Sequence, residues 1–195
     1  MEEQHLQERE KLYVVLSQTG TALSRLLRVV TRAKYNHSSV SLDRNLDLLY
    51  GFGRRWAWNP IFGGFVQESP HFGTFKRFPK TCVAVLEIPI TKEMRKQIEQ
   101  RFARMYQERK SWHYDFLGLL VAAFGVYWRR KRYYYCSDFV RSVLTDQVGI
   151  PKERFETIVQ PRHFLSLPEA TLIYEGLLQG YIPPGGRVET TKTEK

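Results

Sequence analysis

The apolar residues of this chain form short runs separated by turn residues, a pattern that predicts a sheet with helices packed on it. Residues 12–17 and 81–90 are continuous runs rich in β-branched side chains, and each predicts a strand inside a sheet. Thr91 follows the second run and is a good helix cap. A charged helix is therefore predicted from there to about residue 109.

A β-hairpin is predicted over residues 37–52. The two-residue period of a strand places Val40 on one side of the first arm, and it places His37 on the other side with Ser39. The polar residues 43–45 suit the turn between the two arms. Further short strands are predicted at residues 63–68 and 172–174, the latter at a sheet edge.

Two other segments predict helices with different surfaces. Residues 22–34 carry an apolar stripe and an outward row of basic side chains, which is typical of an amphipathic helix. Residues 116–128 contain no charge, but thirteen residues are too few to span a membrane. They predict a buried helix, with contact at a membrane surface as the alternative.

The predicted fold class is α+β, with a small antiparallel sheet packed against helices. A chain of 195 residues with 43% hydrophobic content fits one compact domain. We expect this domain to occupy residues 1–184, with residues 1–11 as an N-terminal extension. Residues 185–195 are polar and charged, and they predict a disordered tail.

The chain is basic, with 30 Lys and Arg residues against 20 Asp and Glu residues and a net charge of +10. Such a surface attracts anionic partners, among them lipid headgroups and nucleic acid. A basic domain that makes no use of its charge is the alternative. A membrane surface is the preferred anionic partner, because basic residues lie beside Trp56 and Trp58 and again at residues 129–132.

The two cysteines, Cys82 and Cys136, are too few for a disulfide framework, and neither belongs to a CxxC pair. We therefore expect no metal and no cofactor. The first residues lack the basic start and apolar core of a signal peptide, and no run of 18 apolar residues occurs. A reduced, cytoplasmic setting is the expectation.

Cys136 is the residue of the chain whose position most favours chemical reactivity. Three tyrosines precede it and suit a strand, whereas the apolar residues after it recur at helical spacing. A cysteine in the first turn of a helix lies beside unpaired N–H groups, which favour thiolate over thiol and can stabilise an oxyanion. The alternative is a buried cysteine that only fills space.

Three short motifs together resemble the NlpC-type branch of the papain-like cysteine hydrolases. They are Cys-Ser-Asp-Phe-Val at 136–140, Tyr-Asp-Phe-Leu-Gly at 114–118 and Tyr-Asn-His at 35–37. The histidine precedes the cysteine by 99 residues, the order found in the circularly permuted members, whose distant relatives include lecithin retinol acyltransferase.

The resemblance implies a cysteine amidase or peptidase with a permuted papain-like fold. Cys136 would attack an amide, peptide or ester carbonyl, and His37 would act as general base. The family usually places a third polar residue on the strand after the histidine strand, where this chain offers only Tyr50. Glu68 and Glu87 are therefore considered as replacements. Glu68 is chosen as the third residue, although an ordinary surface carboxylate is the more common role for such a residue. The expected substrate-binding residues are Tyr134, Tyr50 and Ser137.

Several functional alternatives stay open at this point. A member of the same group could transfer the acyl chain to an acceptor or act on lipids, which would fit the basic segments. A different class is a non-catalytic binding module, in which Cys136 is merely buried. Nucleic acid is the less favoured partner. The substrate and the oligomeric state are not indicated by the sequence.

Overall fold

A computed structural model of the chain describes residues 10–19, 34–55, 63–122 and 125–183. Its strands are β1 (Glu10–Gln18), β2 (His37–Ser41), β3 (Leu49–Arg54), β4 (Gly63–Glu68), β5 (Cys82–Ile90), β6 (His113–Tyr114), β7 (Tyr133–Tyr134) and β8 (Thr171–Leu177). Its α-helices within those ranges are α1 (Gly73–Arg77), α2 (Lys92–Gln107), α3 (Phe116–Ala122) and α4 (Cys136–Asp146).

Six of the strands form one antiparallel sheet in the order β4-β3-β2-β1-β5-β8. The remaining two, β6 and β7, pair in parallel. The predicted α+β class, with an antiparallel sheet packed against helices, is confirmed. The strand predicted at residues 172–174 is part of β8 and does lie at an edge of the sheet.

Apolar side chains cover both faces of the sheet, because β1 alternates between two hydrophobic clusters. Leu12, Val14 and Leu16 belong to the larger cluster, which also contains the apolar face of α4. Tyr13 and Val15 point the other way, into a smaller cluster. A strand buried on both faces reads as a continuous apolar run, which explains the pattern at residues 12–17.

The helix α4 packs on the sheet through apolar residues that recur at helical spacing. These residues are fully buried. Phe139 is the centre of an aromatic cluster, with ring centroids 5.2 to 6.3 Å from its neighbours. Those neighbours come from the sheet, from α2 and from β7, and they are Phe52, Phe65, Phe102 and Tyr134. This packing fixes the position of the helix and of Cys136 at its start.

The charged helix α2 starts where the sequence predicted. The Thr91 hydroxyl accepts a hydrogen bond from the backbone N–H of Met94 at 3.1 Å and so caps the helix. The apolar side chains Ile98, Phe102 and Met105 are buried on its inner face. This inner face joins the larger hydrophobic cluster of the sheet.

Three predictions need correction. The uncharged segment at 116–128 was expected to be a buried helix, but α3 covers only Phe116–Ala122, and Leu117 and Leu120 are exposed. The strand β1 begins at Glu10, inside the segment expected to be an extension. The short helix α1 was not predicted. None of the described helices is long and apolar enough to cross a membrane.

Several predicted segments lie outside the described residues. They are the amphipathic helix apart from Lys34, the loop containing Trp56 and Trp58, and the charged tail at 185–195.

Candidate active site

Cys136 is the first residue of α4. Tyr135 precedes it in an extended conformation, with φ of −92° and ψ of 167°. The segment is anchored further upstream because β7 pairs with β6, where Tyr133 lies opposite His113. Cys136 therefore lies at the strand-to-helix junction that the sequence predicted, at the end of the helix where backbone N–H groups have no intrahelical partner.

His37 is the first residue of β2, and its ring lies near enough to the Cys136 thiol for each group to shift the pKa of the other. A second contact beside this pair joins the same two elements. The Ser38 hydroxyl donates a hydrogen bond to the Ser137 hydroxyl at 3.3 Å, and both serines are buried. The structure therefore brings together the two residues that the sequence predicted as nucleophile and base.

Glu68 completes a chain of three polar side chains. Its Oε2 lies 2.9 Å from the Nε2 of His37, and each of the two side chains is 17% exposed. Because Glu68 occupies Nε2, Nδ1 is the ring nitrogen that is left for the thiol of Cys136. A carboxylate in this place fixes the orientation of the imidazole.

Glu68 reaches His37 across an intervening strand. Glu68 ends β4 and His37 begins β2, with β3 between them in the sheet. A Cβ atom on Gly51 would lie 3.5 Å from Oε2 of Glu68, and one on Gly53 would lie 3.8 Å from both Oε1 of Glu68 and Cε1 of His37. The carboxylate and the imidazole thus lie over two positions of β3 that carry no side chain.

The contacts around the pair favour its charged form. Burial acts to lower the pKa of His37, but the Glu68 carboxylate and the hydrogen bonds to Glu68 and Cys136 outweigh it and raise that pKa well above its usual value. Burial acts to raise the pKa of Cys136, but the hydrogen bond and charge of His37 lower it, helped by the Ser38 backbone and the Ser137 hydroxyl. The favoured state is a thiolate beside an imidazolium.

The thiol is less accessible than a cleft open to solvent would make it. Cys136 is 5% exposed, and its neighbour Tyr135 is equally buried. The Tyr135 hydroxyl is also buried and has no hydrogen-bond partner among the residues that the structure describes. The nucleophile is therefore largely shielded from solvent, because the start of α4 is packed into the fold.

The predicted substrate-binding residues have different surroundings. Ser137 is buried directly beside the pair, with its hydroxyl 3.9 Å from the sulfur of Cys136. The Tyr50 ring stacks on Phe102 with centroids 4.4 Å apart, and Tyr134 belongs to the aromatic cluster around Phe139. These two tyrosines pack in the hydrophobic core, and a role for them in substrate binding stays a prediction.

Sequence reasoning missed Ser38, Gly51 and Gly53 as parts of this site. Both glycines lie within β3. Their i, i+2 spacing on one face of a strand is the signal that could have indicated a gap for a side chain from the next strand. Glu87, the other candidate carboxylate, forms an ion pair with Lys11.

Comparison of the chain with known proteins gave no match to a protein-family model, a curated protein or a solved structure. Within the described ranges, no group of three or more His, Cys, Asp or Glu side chains has an arrangement that could hold a metal ion. The groups that the structure places together at the site are a thiolate, an imidazolium and a carboxylate.

Proposed function

We propose that the protein is a cysteine hydrolase that cleaves an amide, peptide or ester bond through an acyl-enzyme on Cys136. The observation that carries this proposal is the position of the His37 ring, 2.9 Å from the carboxylate of Glu68 and beside the thiol of Cys136, whose pKa it lowers. A nucleophile, a base and a group that orients the base are the parts that this chemistry requires.

In the first half of the reaction, the Cys136 thiolate attacks the carbonyl carbon of the substrate. A C–S bond forms and the carbonyl electron pair moves to oxygen, where N–H groups of the first turn of α4 are suited to stabilise it. The imidazolium of His37 then gives its proton to the leaving nitrogen or oxygen as the C–N or C–O bond breaks. The product is an acyl thioester on Cys136.

In the second half, His37 takes a proton from water while the water oxygen attacks the thioester carbon. The C–S bond breaks, the acid product leaves, and the sulfur returns to the thiolate beside the imidazolium. Glu68 contributes by holding the imidazole in place and by stabilising its charged form in both halves. All protons and electron pairs are accounted for without another reactant.

We further propose that the chain is a circularly permuted member of the papain-like group. The support is topological, because the histidine begins a strand of an antiparallel sheet and the cysteine begins a helix packed on that sheet. The order of the two residues along the chain is the permuted one.

A second candidate function is acyl transfer, and the burial of the nucleophile favours it. With Cys136 only 5% exposed, an acyl thioester there would be shielded from bulk water. An acyl acceptor with an amine or hydroxyl group would then resolve the intermediate in place of water, and His37 would take its proton in the same way. The residues required are those of the hydrolase.

The test is trapping of the acyl-enzyme. The protein is incubated with nitrophenyl esters of short and long acyl chains, and its intact mass and the sites of acylation are measured by mass spectrometry. We expect an acyl adduct on Cys136 that is absent in Cys136→Ala and strongly reduced in His37→Ala, while Cys82→Ala is the matched control that keeps it. Equal acylation of wild type and Cys136→Ala, or none in either, would contradict the proposal.

A further inference from the structure

Four large apolar side chains are exposed in one short part of the chain, on α3 and in the loop that follows it. Leu117 is 45% exposed, Leu120 59%, Val126 53% and Trp128 48%. We name these four residues the apolar ridge. Exposed apolar residues that lie singly are ordinary, whereas a group of them marks an interaction site.

The ridge is held in a defined shape by backbone and side-chain contacts. The loop folds back on the end of α3 through a hydrogen bond from the N–H of Val126 to the carbonyl of Val121 at 3.1 Å. At the start of the helix, the buried Asp115 carboxylate accepts a hydrogen bond from the N–H of Gly118 at 2.8 Å and forms an ion pair with Arg130. The ridge is thus an ordered feature of the fold.

Basic residues border this ridge. Over residues 108–132 there are six Lys and Arg residues against two carboxylates, Glu108 and Asp115. The pairing of β6 with β7 brings the two basic runs together, since the N–H of His113 bonds to the carbonyl of Arg132 at 3.0 Å. The exposed members are Arg109, Lys110, Arg129, Lys131 and Arg132, and we name them the basic rim.

Arg130 joins the ridge to the rim. Its guanidinium lies 5.1 Å from the centroid of the Trp128 ring and 3.9 Å from that of Tyr133. Its charge is already balanced by Asp115, so it acts as a structural link. Lys131, next to it, is exposed and has no ion pair among the described residues.

We propose that the apolar ridge and the basic rim form a docking surface for an anionic lipid bilayer. Leucine and valine side chains can enter the acyl region of a bilayer, and a tryptophan is suited to the interface between acyl chains and headgroups. The cations of the rim can contact the headgroups. One surface therefore offers a matching contact at each depth of the bilayer. Charge complementarity selects an anionic surface. A nucleic acid would match the rim but would leave the ridge in water.

The docking surface lies next to the candidate active site in the chain, and in the fold the Tyr127 hydroxyl of its loop donates a hydrogen bond to Asp138 on α4 at 3.4 Å. The basic rim runs directly into β7, and Cys136 follows β7 after a single residue. A bilayer bound here would present amphiphilic acyl compounds beside the nucleophile. This second step rests on the proposed function and assigns it a substrate class, an ester or amide of a long acyl chain that resides in a membrane.

Binding is tested by sedimentation of the whole protein with vesicles of phosphatidylcholine alone and with phosphatidylcholine mixed with phosphatidylglycerol. We expect binding to the anionic vesicles that weakens with salt. Lys131→Gln should weaken it by about fivefold, the effect of one cation near a charged surface. Leu120→Gln should weaken it by at least as much. The matched controls are Lys76→Gln on α1 and Leu172→Gln on β8, both exposed positions that should keep wild-type binding.

Four outcomes would overturn the docking surface. The first two are equal binding to both kinds of vesicle and a loss of vesicle binding in the matched controls as large as that in Lys131→Gln and Leu120→Gln. The third is self-association of the free protein that Leu120→Gln abolishes. The fourth is binding of duplex DNA that competes with binding of vesicles. Cys136→Ser separates this proposal from the hydrolase, since it should bind vesicles normally. Vesicle binding without acylation of Cys136 would contradict the proposed function alone, and acylation of Cys136 without vesicle binding would contradict the docking surface alone.

Discussion

The Nε2 of His37 lies 2.9 Å from the Oε2 of Glu68, although the two residues belong to strands that are not neighbours in the sheet. Gly51 and Gly53 on the strand between them leave the space that the carboxylate crosses. The contact matters for the thiol, because the negative charge of Glu68 stabilises the imidazolium and the imidazolium stabilises the thiolate of Cys136.

Replacing Glu68 by Gln should change the pH dependence of thiol reactivity. The amide keeps a hydrogen bond to His37 but removes the charge that raises the pKa of the imidazolium, so that pKa falls. The imidazolium of His37 then loses its proton at a lower pH. Above that pH the thiolate of Cys136 has no positive charge beside it. We expect a loss of at least about tenfold in acylation rate near neutral pH.

The rate of Cys136 acylation is measured for this purpose over the range from about pH 5 to pH 10, around the ordinary values of His and Cys. Glu99→Gln on α2 is a matched control, since Glu99 is exposed and pairs with Arg95 at a different place. An unchanged pH profile in Glu68→Gln would show that the carboxylate has no influence on the pair.

Gly53 should tolerate a methyl group but not a branched side chain. A Cβ there would lie 3.5 Å from the nearest atom, at ordinary van der Waals distance, so Gly53→Ala is accommodated. The additional methyl groups of Gly53→Val have to occupy the space of the His37 ring or the Glu68 carboxylate. We expect near wild-type acylation of Cys136 in the first variant and a loss of at least about tenfold in the second.

The folded fraction of both glycine variants is checked by circular dichroism, because a misfolded Gly53→Val would be uninformative. Val66→Ala on the neighbouring strand relieves the same crowding, since its side chain is the nearest contact of a Cβ at position 53. Combining it with Gly53→Val should restore part of the rate. Equal rates in Gly53→Val and Gly53→Ala would contradict a steric role for this position.

Phe139 should be the most sensitive position of α4 for stability. It is fully buried, and its ring contacts aromatic rings from four other elements. Phe139→Ala should lower the free energy of unfolding by about 3–5 kcal/mol, measured by urea denaturation. Leu172→Ala at the exposed edge strand should change it by less than about 0.5 kcal/mol. Similar effects of the two would contradict the packing described for α4.

The sequence predicted those parts of the site that depend on local pattern. Cys136 could be located because a helix begins where an apolar period of 3.6 residues begins, and His37 because it starts a strand. The contact with Glu68 depends on the order of three strands and on two glycines, which is tertiary information. The burial of Cys136 and the exposure of Leu120 were likewise not predictable, because a local pattern does not say which apolar faces find partners.

The charged pair should also shape the dependence of stability on pH. The raised pKa of His37 contributes stability that is present below about pH 6.5 and is lost as the pH rises through the folded pKa. The lowered pKa of Cys136 contributes stability that is present above about pH 8.5 and is lost as the pH falls through its folded value. Between these limits the two slopes cancel wherever the folded protein holds the thiolate and the imidazolium together.

We therefore expect the contribution of the pair to the free energy of unfolding to be constant from about pH 6.5 to pH 8.5. This contribution should decrease on either side of that range. Urea denaturation of the wild type and of the double variant Cys136→Ala/His37→Ala over this range gives that contribution by difference. A difference that is independent of pH throughout would mean that the pair is neutral in the folded protein.

The most direct measurement is the ultraviolet absorbance of the thiolate as a function of pH, taken as the difference between wild type and Cys136→Ala. A thiolate that titrates clearly below the ordinary thiol value of about 8.5, and that moves upward in His37→Ala, is the predicted result. Titration of Cys136 at or above that value, unaffected by His37→Ala, would contradict the thiolate–imidazolium pair.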